Sequence, residues 1–516
     1  MLEAHALGVH LFAVTGGEHP HRSLAAVRHL WDQCGRVLGM TDAVQRTGAG
    51  TEPERGWEAQ LDHAGGGRAW RGLLAARKRP GPGVWQAALR RQHDTWCLSV
   101  MLAPAPADGM SWAELDARWS EAVEAAAAGR PEADLLGTAR LYLARLAPEA
   151  GRAANGWPEP SGELAVAVRA QTPAACGVPP GSWPYRGGVV PQGFAVWEAS
   201  AAVDTRTERR LVVIAAHDRD PELTAWTWTT RALDLPPLGR YLLHAAKLRH
   251  QVRVWTAAED IGPLRARADA VITEVLECTA AARRGPGRQA ELLNASRALV
   301  DLQARERGLV DRSTRSREMA RTVEIASANL TALSGGADCG PFADDRALAD
   351  WFAQRLDDEA TYLEAALRRC EDVGAFTDQV VQRDLQRRQE TVNLALTGVL
   401  GAILMSLAAV QSLPYTLPLP GAVKPAVVAA LGALALLASF VVLRAVAPER
   451  RWSQALVGLG VAVLGGTLGW VAASASVPGG RAVGWTLVWA GAGAAAGVAA
   501  ALAGPPWQRG ARRRRQ

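Results

Sequence analysis

The residues that could perform chemistry are few and widely spaced in this chain of 516 residues. Its three lysines, Lys78, Lys247 and Lys424, do not stand in the GxxxxGKS/T spacing that lets a lysine reach bound phosphates. The HExxH pattern of zinc peptidases and the GxSxG pattern of serine hydrolases are missing as well. The sequence therefore excludes P-loop nucleotide hydrolysis and offers neither of these hydrolytic motifs.

Histidines are concentrated near the beginning of the chain, where five of the ten occur: His5, His10, His19, His21 and His29. A zinc site needs three or four converging ligands, which usually come in closely spaced pairs. These histidines have no such spacing. We interpret them as surface and loop residues and predict no metal site.

Two other groups combine titratable side chains. His93, Asp94 and Cys97 could form a Cys–His pair, but the apolar strand around Cys97 favours burial of its thiol as a small apolar group. His217 and Asp218 follow a predicted strand, yet one such pair does not define a site. We therefore predict no catalytic residue, no cofactor and no enzymatic activity. The six cysteines form no CxxC pair, which is typical of reduced thiols in the cytosol.

Four apolar stretches of about 20 residues follow each other near the end of the chain, at 391–411, 423–443, 453–473 and 482–504. Each is long enough to cross about 30 Å of hydrocarbon as a helix, and none has a charge at its centre. The stretches predict a C-terminal bundle of four transmembrane helices over 391–504. The alternative is a buried helical domain of a soluble protein.

Arginines beside these stretches predict the orientation of the bundle. They precede the first span, lie between the second and third, and follow the fourth in a run at 512–515. Positive charge beside a span stays cytoplasmic, so both termini are predicted to lie on the cytoplasmic side of the membrane. No secretory signal peptide is recognised at the N-terminus.

The basic tail at 505–516 has two interpretations, which are binding to anionic lipid and a plain topology signal. Because much of the net charge of +6 lies beside the membrane block, no nucleic-acid partner is predicted.

Small residues spaced four apart occur in the last two spans, Gly465 with Gly469 and Gly493 with Gly497. Such pairs let two helices approach closely, although glycine is abundant here and the spacing can arise from composition alone.

No Asp, Glu, His or Asn lies at the centre of a span, whereas a selective ion path usually needs such groups. We interpret the spans, together with the helices before them, as a possible site of homo-oligomerisation.

The part of the chain before the spans is predicted to be a cytoplasmic head of two α+β units, 1–150 and 151–258. Apolar or alternating runs predict strands at 6–14, 95–102, 162–170, 192–199, 209–215 and 223–230. Residues 135–146 are predicted as a strand or a short helix, and 48–83 as a loop. Helices are predicted at 21–38 and from Pro236 to Trp255. Another helix is predicted to begin at Ser111, where Ser111 and Glu114 form a capping box. Trp226 and Trp228 would lie on the same face of a strand. They could form an aromatic ligand platform or part of the core, and we favour the core.

Long charged helices are predicted over 259–390, a coiled-coil-like stalk. One covers 264–284, a second covers 288–334, and a third begins at Asp344 and continues without proline toward the first span. Two interpretations are open: a helical bundle that packs beside the membrane, or a rigid rod that transmits movement from the head to the spans.

Three segments of the head carry a family resemblance: ALGVHLFAVTGG from residue 6, LWDQCGRVLGMTD from residue 30 and AWTWTTRALDLPPLGRYLLHAAKLRHQVRVW from residue 225. In them the chain resembles the CATRA proteins, the caspase/TPR-repeat-associated components of bacterial conflict systems. The resemblance implies a component that works beside a caspase-like peptidase and TPR-repeat or NTPase regulators in defence against phage. It implies no site residues.

We therefore predict a non-enzymatic partner, sensor or membrane-acting effector of a bacterial conflict system, anchored by several spans in the bacterial inner (plasma) membrane. The alternative is a CorA-like ion channel or transporter with a cytoplasmic gating domain, because a head, long helices and a membrane block are similar to the plan of CorA-type magnesium channels. Those channels have two spans and a Gly-Met-Asn signature after the first. This chain has four predicted spans, with Gln411, Ser412, Leu413 and Pro414 in that place.

Overall fold

A computed structural model gives the arrangement of the chain. It describes residues 2–16, 20–44, 71–128, 135–148, 158, 160, 162–176, 183, 186–228, 234–258, 260–284, 289–416, 423–446, 451–476 and 483–503. The chain forms two compact units. The first combines Met1–Thr273 with Arg297–Cys370, and the second combines Glu274–Ser296 with Glu371–Gln516.

The strands of the first unit form one mixed sheet. They are β1 (Leu2–Val14), β2 (Asp42–Ala43), β3 (Arg71–Lys78), β4 (Val84–Gln92), β5 (Thr95–Ala103), β6 (Leu135–Leu146), β7 (Gly187–Val189), β8 (Ala195–Glu198) and β9 (Glu208–Ala215). Their spatial order is β2-β3-β4-β5-β1-β6-β9-β8-β7. Every pairing is antiparallel except β6 with β9, which is parallel. The long β1 lies at the centre, and its side chains are buried on both faces.

Helices cover both faces of this sheet. One face carries α1 (Pro20–Arg36), α2 (Trp112–Ala127) and α3 (Gly162–Gln171). The chain then forms α4 (Asp220–Thr227), α5 (Pro237–Ala257), α6 (Ile261–Arg284), α7 (Gln289–Ala304), α8 (Leu309–Leu333) and α9 (Gly340–Thr416). The second face carries α4, α5, α8 and the beginning of α9, whose apolar side chains share one core with the sheet.

Several predictions for the head are confirmed. The strands at 6–14, 95–102 and 209–215 are present, and 135–146 is a strand. Of 192–199, the strand covers Ala195–Glu198, and it pairs with β9 as a hairpin. The capping box also forms, because the Ser111 side chain accepts a bond from the Glu114 amide and the Glu114 carboxylate accepts one from the Ser111 amide.

The strand predicted at 162–170 is wrong, because this segment is the helix α3. Leu164, Ala165 and Val168 are buried at helical spacing, whereas Val166 is 70% exposed. Alternating alanine and valine resemble a strand pattern, but alanine has the highest helix propensity and the burial follows the helical period.

The strand predicted at 223–230 is also wrong, because α4 covers Asp220–Thr227. A proline at the start of the helix and the acidic Asp220 and Glu222 in its first turn are helix-start signals that outweigh the alternation of the tryptophans. Trp226 and Trp228 belong to the core on the second face, which confirms the preferred interpretation of the pair.

The loop predicted at 48–83 is wrong in its last part, where Arg71–Lys78 is β3. This strand pairs with β4, and neither strand was predicted from the sequence. Of the rest of the predicted loop, the structure describes only residues 79–83. The two predicted α+β units also share one sheet, because β6 of the first pairs with β9 of the second. Pairing partners far apart in sequence leave no local pattern that would predict such a pairing.

The helix predicted at 288–334 is two helices, α7 and α8. The break lies at Arg307, whose φ is 65°, and at Gly308, where a Cβ atom would lie 2.6 Å from the carbonyl oxygen of Leu302. Only glycine fits such a close approach of backbone. The third predicted stalk helix is confirmed as α9, which runs without a break from Gly340 to Thr416 and so includes the first predicted span.

The second unit ends in three apolar helices, α10 (Lys424–Val446), α11 (Arg451–Ser476) and α12 (Val483–Ala503). Two helices of the described residues are long and apolar enough to cross a membrane, over Lys424–Val441 and Leu456–Ser476. These are the second and third predicted spans. The four-helix transmembrane bundle and the cytoplasmic placement of both termini stay predictions.

The glycine pairs of the last two spans form a close helix contact, as the packing interpretation predicted. A Cβ atom added to Gly465 would lie 2.3 Å from the carbonyl oxygen of Gly493, and one added to Gly469 would lie 2.3 Å from that of Trp489. On the other helix, Gly497 faces the carbonyl oxygen of Val461 at 2.6 Å. The backbones of α11 and α12 therefore touch where side chains are absent.

Candidate functional site

A buried cluster of charges lies where the sheet, α5 and the first turns of α9 meet. We call it the ionic junction, and it consists of Glu198, Arg206, Arg209, Tyr241, Arg249 and Asp345. Glu198 and Asp345 have no exposed side-chain surface, and the side chains of Arg209 and Arg249 are 6% and 4% exposed. Charges so deeply buried are rare unless they are paired.

Asp345 is the centre of the ionic junction. Its Oδ2 accepts hydrogen bonds from Nη1 of Arg209 at 2.6 Å and from the hydroxyl of Tyr241 at 2.7 Å, and its Oδ1 lies 2.6 Å from Nη2 of Arg249. The carboxylate thus binds β9 through Arg209 and α5 through Tyr241 and Arg249. It fixes the beginning of α9 against both elements.

Arg209 spans the ionic junction with all three nitrogens of its guanidinium. Nε donates to Glu198 at 2.7 Å, Nη1 donates to Asp345, and Nη2 donates to the carbonyl oxygen of Pro341 at 3.1 Å. Glu198 also accepts a bond from Nη2 of Arg206 at 3.4 Å. Charge-assisted bonds of this kind are stronger than neutral ones and hold a fixed geometry.

The charges of the ionic junction keep both carboxylates ionised. Burial disfavours the charged form of Asp345, but Arg209 and Arg249 lower its pKa to about 2. Burial opposes ionisation of Glu198 in the same way, and Arg209, Arg206 and Arg249 lower its pKa. Because a general acid needs a pKa near the working pH, these carboxylates position secondary structure and do not supply protons.

A second network lies on the opposite face of the sheet. Oδ1 of Asp116 in α2 accepts bonds from Nη1 of Arg140 and from the hydroxyl of Tyr142, both at 2.8 Å. Glu208 joins the network through Nε of Arg140 at 3.0 Å and Nε of Arg210 at 2.7 Å. We call this set the opposite-face network, and it contains two arginines and two carboxylates.

The candidate residues of the sequence analysis lie apart from the ionic junction's charges. The interpretation of His10 as a surface or loop residue is wrong, because His10 is buried in β1, where Nδ1 lies 2.9 Å from Oγ of Ser99 and Nε2 lies 3.1 Å from the carbonyl oxygen of Thr227. Nε2 must carry the proton, because a carbonyl can only accept. Burial lowers the pKa of His10 to about 4, so its imidazole is neutral at physiological pH.

The other early histidines do not converge on His10. His5 lies within hydrogen-bond distance of Gln171, His21 and His29 are on α1, and His19 is outside the described residues. Within the described ranges, no group of three His, Cys, Asp or Glu side chains could hold a metal ion.

Cys97 is buried in the core, as its apolar strand predicted. Burial raises the pKa of its thiol to about 12, which leaves almost no thiolate. Its neighbour Asp94 instead binds Nζ of Lys247 at 2.6 Å. His217 is partly buried after β9, and its Nδ1 makes no hydrogen bond with the described residues.

The sequence analysis missed every residue of the ionic junction. One signal was available, because Glu198 stands within the apolar run FAVWEA, where a charge is unexpected on a buried strand. The second carboxylate of the ionic junction, Asp345, lies 147 positions later at the start of a charged helix, where an acidic residue is ordinary. No spacing rule joins the two.

Comparison with known families decides the identity of the head. The CASPASE and TPR Repeat-Associated N-terminal domain matches residues 6–231, and the corresponding C-terminal domain matches residues 236–370. The chain belongs to the CATRA family. This confirms the resemblance read from the sequence. No curated protein and no solved structure matches the chain.

The family boundaries place the ionic junction between the two CATRA domains. The CATRA-N match includes eight of the nine described strands and most of β1, and it contributes Glu198, Arg206 and Arg209. CATRA-C contributes Tyr241, Arg249 and Asp345 from α5 and α9. The ionic junction is therefore a buried polar contact between residues of the two domains, and its Asp345 lies on α9, which continues beyond the matched residues.

Proposed function

We propose that this CATRA protein is a membrane-anchored, non-enzymatic component of a bacterial conflict system. Its head binds a caspase-like peptidase, or a TPR-repeat or NTPase regulator, and its apolar helices anchor the assembly or act on the membrane. The observation that carries this proposal is the match of both caspase- and TPR-associated domains over residues 6–370.

The exposure of the apolar helices supports the membrane part of the proposal. Only 11% of the residues in each of the stretches Lys424–Val441 and Leu456–Ser476 are buried, whereas a core helix of a soluble protein would be mostly buried. Large apolar side chains of α9 and α12 are exposed as well, among them Leu396, Leu400, Ile403, Leu404, Leu487 and Val488. Exposed apolar surface of this extent is typical of contact with lipid.

The continuity of α9 supports a role in transmission. Its first turns carry Asp345 of the ionic junction, and the same helix includes the first predicted span at 391–411. A partner that binds the head and disturbs the ionic junction would act directly on this helix. We propose that α9 is the element through which partner binding reaches the membrane.

The surroundings of the candidate nucleophile support a non-enzymatic role. Burial holds the Cys97 thiol protonated, and Asp94 of the same candidate group pairs with Lys247. The thiol is therefore not in the thiolate state that nucleophilic catalysis needs. We further propose that the basic tail at 505–516, outside the described residues, binds anionic lipid, and that α9 to α12 support a homo-oligomer.

Co-purification tests the partner. Full-length protein is expressed with a caspase-like peptidase encoded by the same conflict system, solubilised in detergent and captured by a tag on the CATRA chain. We expect stoichiometric recovery of the peptidase or of a TPR-repeat protein. The control is an unrelated tagged membrane protein with four spans. Equal recovery on the control would contradict the proposal.

Fractionation and flux test the membrane role. We expect the full-length chain to stay with the membrane pellet after washing at about pH 11, and its release by that wash would refute anchoring. Purified protein in liposomes separates the proposal from the CorA-like alternative. Steady, ion-selective conductance without a partner favours the channel, and conductance only with the partner favours the effector.

A further inference from the structure

A small cavity lies beside the ionic junction, between β6, β9 and α5. Its volume is about 20 Å³, which holds about one water molecule or one monatomic ion. Apolar side chains such as Phe12 and Leu242 line one part, and Arg206, Arg209 and Arg249 line the rest. Thr207, an exposed residue, also lines it, which places the cavity close to the surface.

Donors of two of these arginines have no protein partner. Nε and Nη1 of Arg249 and Nε of Arg206 are buried and make no hydrogen bond, whereas all three nitrogens of Arg209 are occupied. A buried donor that is left unpaired costs about 1–3 kcal/mol, and more when it is charged. An occupant with acceptor character in the cavity would remove this cost.

The charge around the cavity is unbalanced. Three guanidinium groups face two carboxylates, Glu198 and Asp345, and the flanking Arg186 and Asp344 add one charge of each sign. Burial lowers the pKa of Arg206 to about 10; Glu198 opposes this shift, and the charges of Arg249 and Arg209 add to it. The opposite-face network is balanced, and its two arginines have no unpaired buried nitrogen.

We propose that this cavity binds one small monovalent anion of halide size, chloride being the physiological example, between Arg249 and Arg206. A water molecule could accept bonds from the same nitrogens, but it would leave the excess positive charge in place. An anion satisfies the donors and balances the charge together. The site is independent of the proposed partner and membrane roles, because it depends only on the ionic junction.

Thermal unfolding of the full-length protein in nonionic detergent tests the proposal, with tryptophan fluorescence as the readout. Sodium chloride replaces sodium gluconate at constant total salt. We expect the midpoint to rise by about 3 °C in a saturable manner, since a ligand that binds only the folded state stabilises it. Bromide should act like chloride. Equal midpoints in chloride and in gluconate would overturn the proposal.

Two variants locate the effect. Arg249→Gln removes the unpaired donors while Arg209 remains bound to Asp345, so the response to chloride should disappear. The matched control is Arg210→Gln, which alters the opposite-face network next to Arg209 and should keep the full response. A chloride response that survives in Arg249→Gln would place the anion elsewhere and overturn the assignment.

A measurement on the unmodified protein covers the case in which Arg249→Gln does not fold. Chloride-35 relaxation should be enhanced by the full-length protein beyond a detergent blank, and bromide but not gluconate should reverse the enhancement. If the protein produces no enhancement over the blank, the cavity holds water and the proposal fails.

Discussion

Arg209 and Arg210 follow each other in β9, yet their side chains bind carboxylates on opposite faces of the sheet. Nη1 of Arg209 lies 2.6 Å from Oδ2 of Asp345 in the ionic junction, and Nε of Arg210 lies 2.7 Å from Oε1 of Glu208 in the opposite-face network. Successive side chains along a strand point to opposite faces of the sheet, so the two neighbouring arginines lie on different faces. One short strand therefore takes part in two separate polar networks, one on each face of the sheet.

The first prediction concerns the central carboxylate of the ionic junction. Asp345→Asn removes the charge that compensates Arg209 and Arg249, so both arginines stay buried with fewer partners. Breaking a buried pair in this way costs about 3–5 kcal/mol. We expect a lower midpoint of unfolding in urea and faster proteolysis at the beginning of α9.

The control for Asp345→Asn is Asp338→Asn. Asp338 pairs with Arg346 near the same end of α9, but its side chain is 73% exposed. Exposed pairs contribute about 0–1 kcal/mol, so this variant should unfold close to the unmodified protein. Similar losses in the two variants would show that burial of the ionic junction does not matter.

The second prediction concerns pH. The pKa of His10 is lowered by burial from 6.5 to about 4, so the unfolded chain binds more protons than the folded one between these values. Stability is therefore fully present above about pH 6.5 and is lost as the pH falls toward 4. The contribution of His10 is about 3 kcal/mol at 1.36 kcal/mol per pKa unit.

His10→Gln should flatten this dependence without abolishing it. Burial also lowers the pKa of His244 to about 4, so a residual slope remains. The measurement is the urea midpoint at several pH values between about 7.5 and about 4, a range that includes both pKa values of His10. His21→Gln, on the exposed side of α1, is the control and should keep the slope of the unmodified protein. Identical slopes for His10→Gln and the control would contradict the burial argument.

The third prediction concerns the thiols. All six cysteines are free, and burial raises the pKa of Cys34 and Cys97 to about 12. In the folded protein at about pH 7.5, N-ethylmaleimide should modify both at least about ten-fold more slowly than the partly exposed Cys278. Mass spectrometry after timed quenching measures the order. All six should react alike in denaturant, and fast labelling of Cys97 in the folded state would revive a catalytic interpretation.

The fourth prediction concerns the contact of α11 with α12. A Cβ atom at Gly493 would lie 2.2 Å from the carbonyl oxygen of Gly465, so Gly493→Leu must separate the two helices. Overpacking of this kind typically costs about 1–3 kcal/mol. Gly491→Leu, on the same helix with no atom within 4 Å of the added Cβ, is the control. Thermal unfolding in detergent should show a lower midpoint for Gly493→Leu alone.

Much of the head could be predicted from local sequence. β1, β5, β9, α1 and α5 follow from apolar runs and helix signals, and the Ser111 capping box specified the start of α2 to the residue. The failures at α3 and α4 have a common cause. A short apolar segment rich in alanine or tryptophan fits both periods, and the surrounding layer decides which one is used.

The ionic junction could not be predicted, because its parts have no local signature. Glu198, Arg249 and Asp345 lie on three elements and meet only after β8, α5 and α9 pack together. Charged residues are usually solvated, so a sequence gives no reason to pair these particular ones. The helix break at Gly308 could not be predicted either. Only glycine fits there, because the carbonyl oxygens of the preceding turn come too close to leave room for a Cβ atom.

By itself the sequence determined the apolar helices, the glycine pairs that let α11 and α12 touch, and the family of the head. These follow from composition, from short spacings and from stretches of sequence that can be recognised without knowing which residues are in contact. Only the tertiary structure decided that one sheet joins the two predicted units and that three arginines surround two carboxylates where CATRA-N meets CATRA-C. The physical reason is that strand pairing and buried charge balance are properties of residues brought together from distant positions.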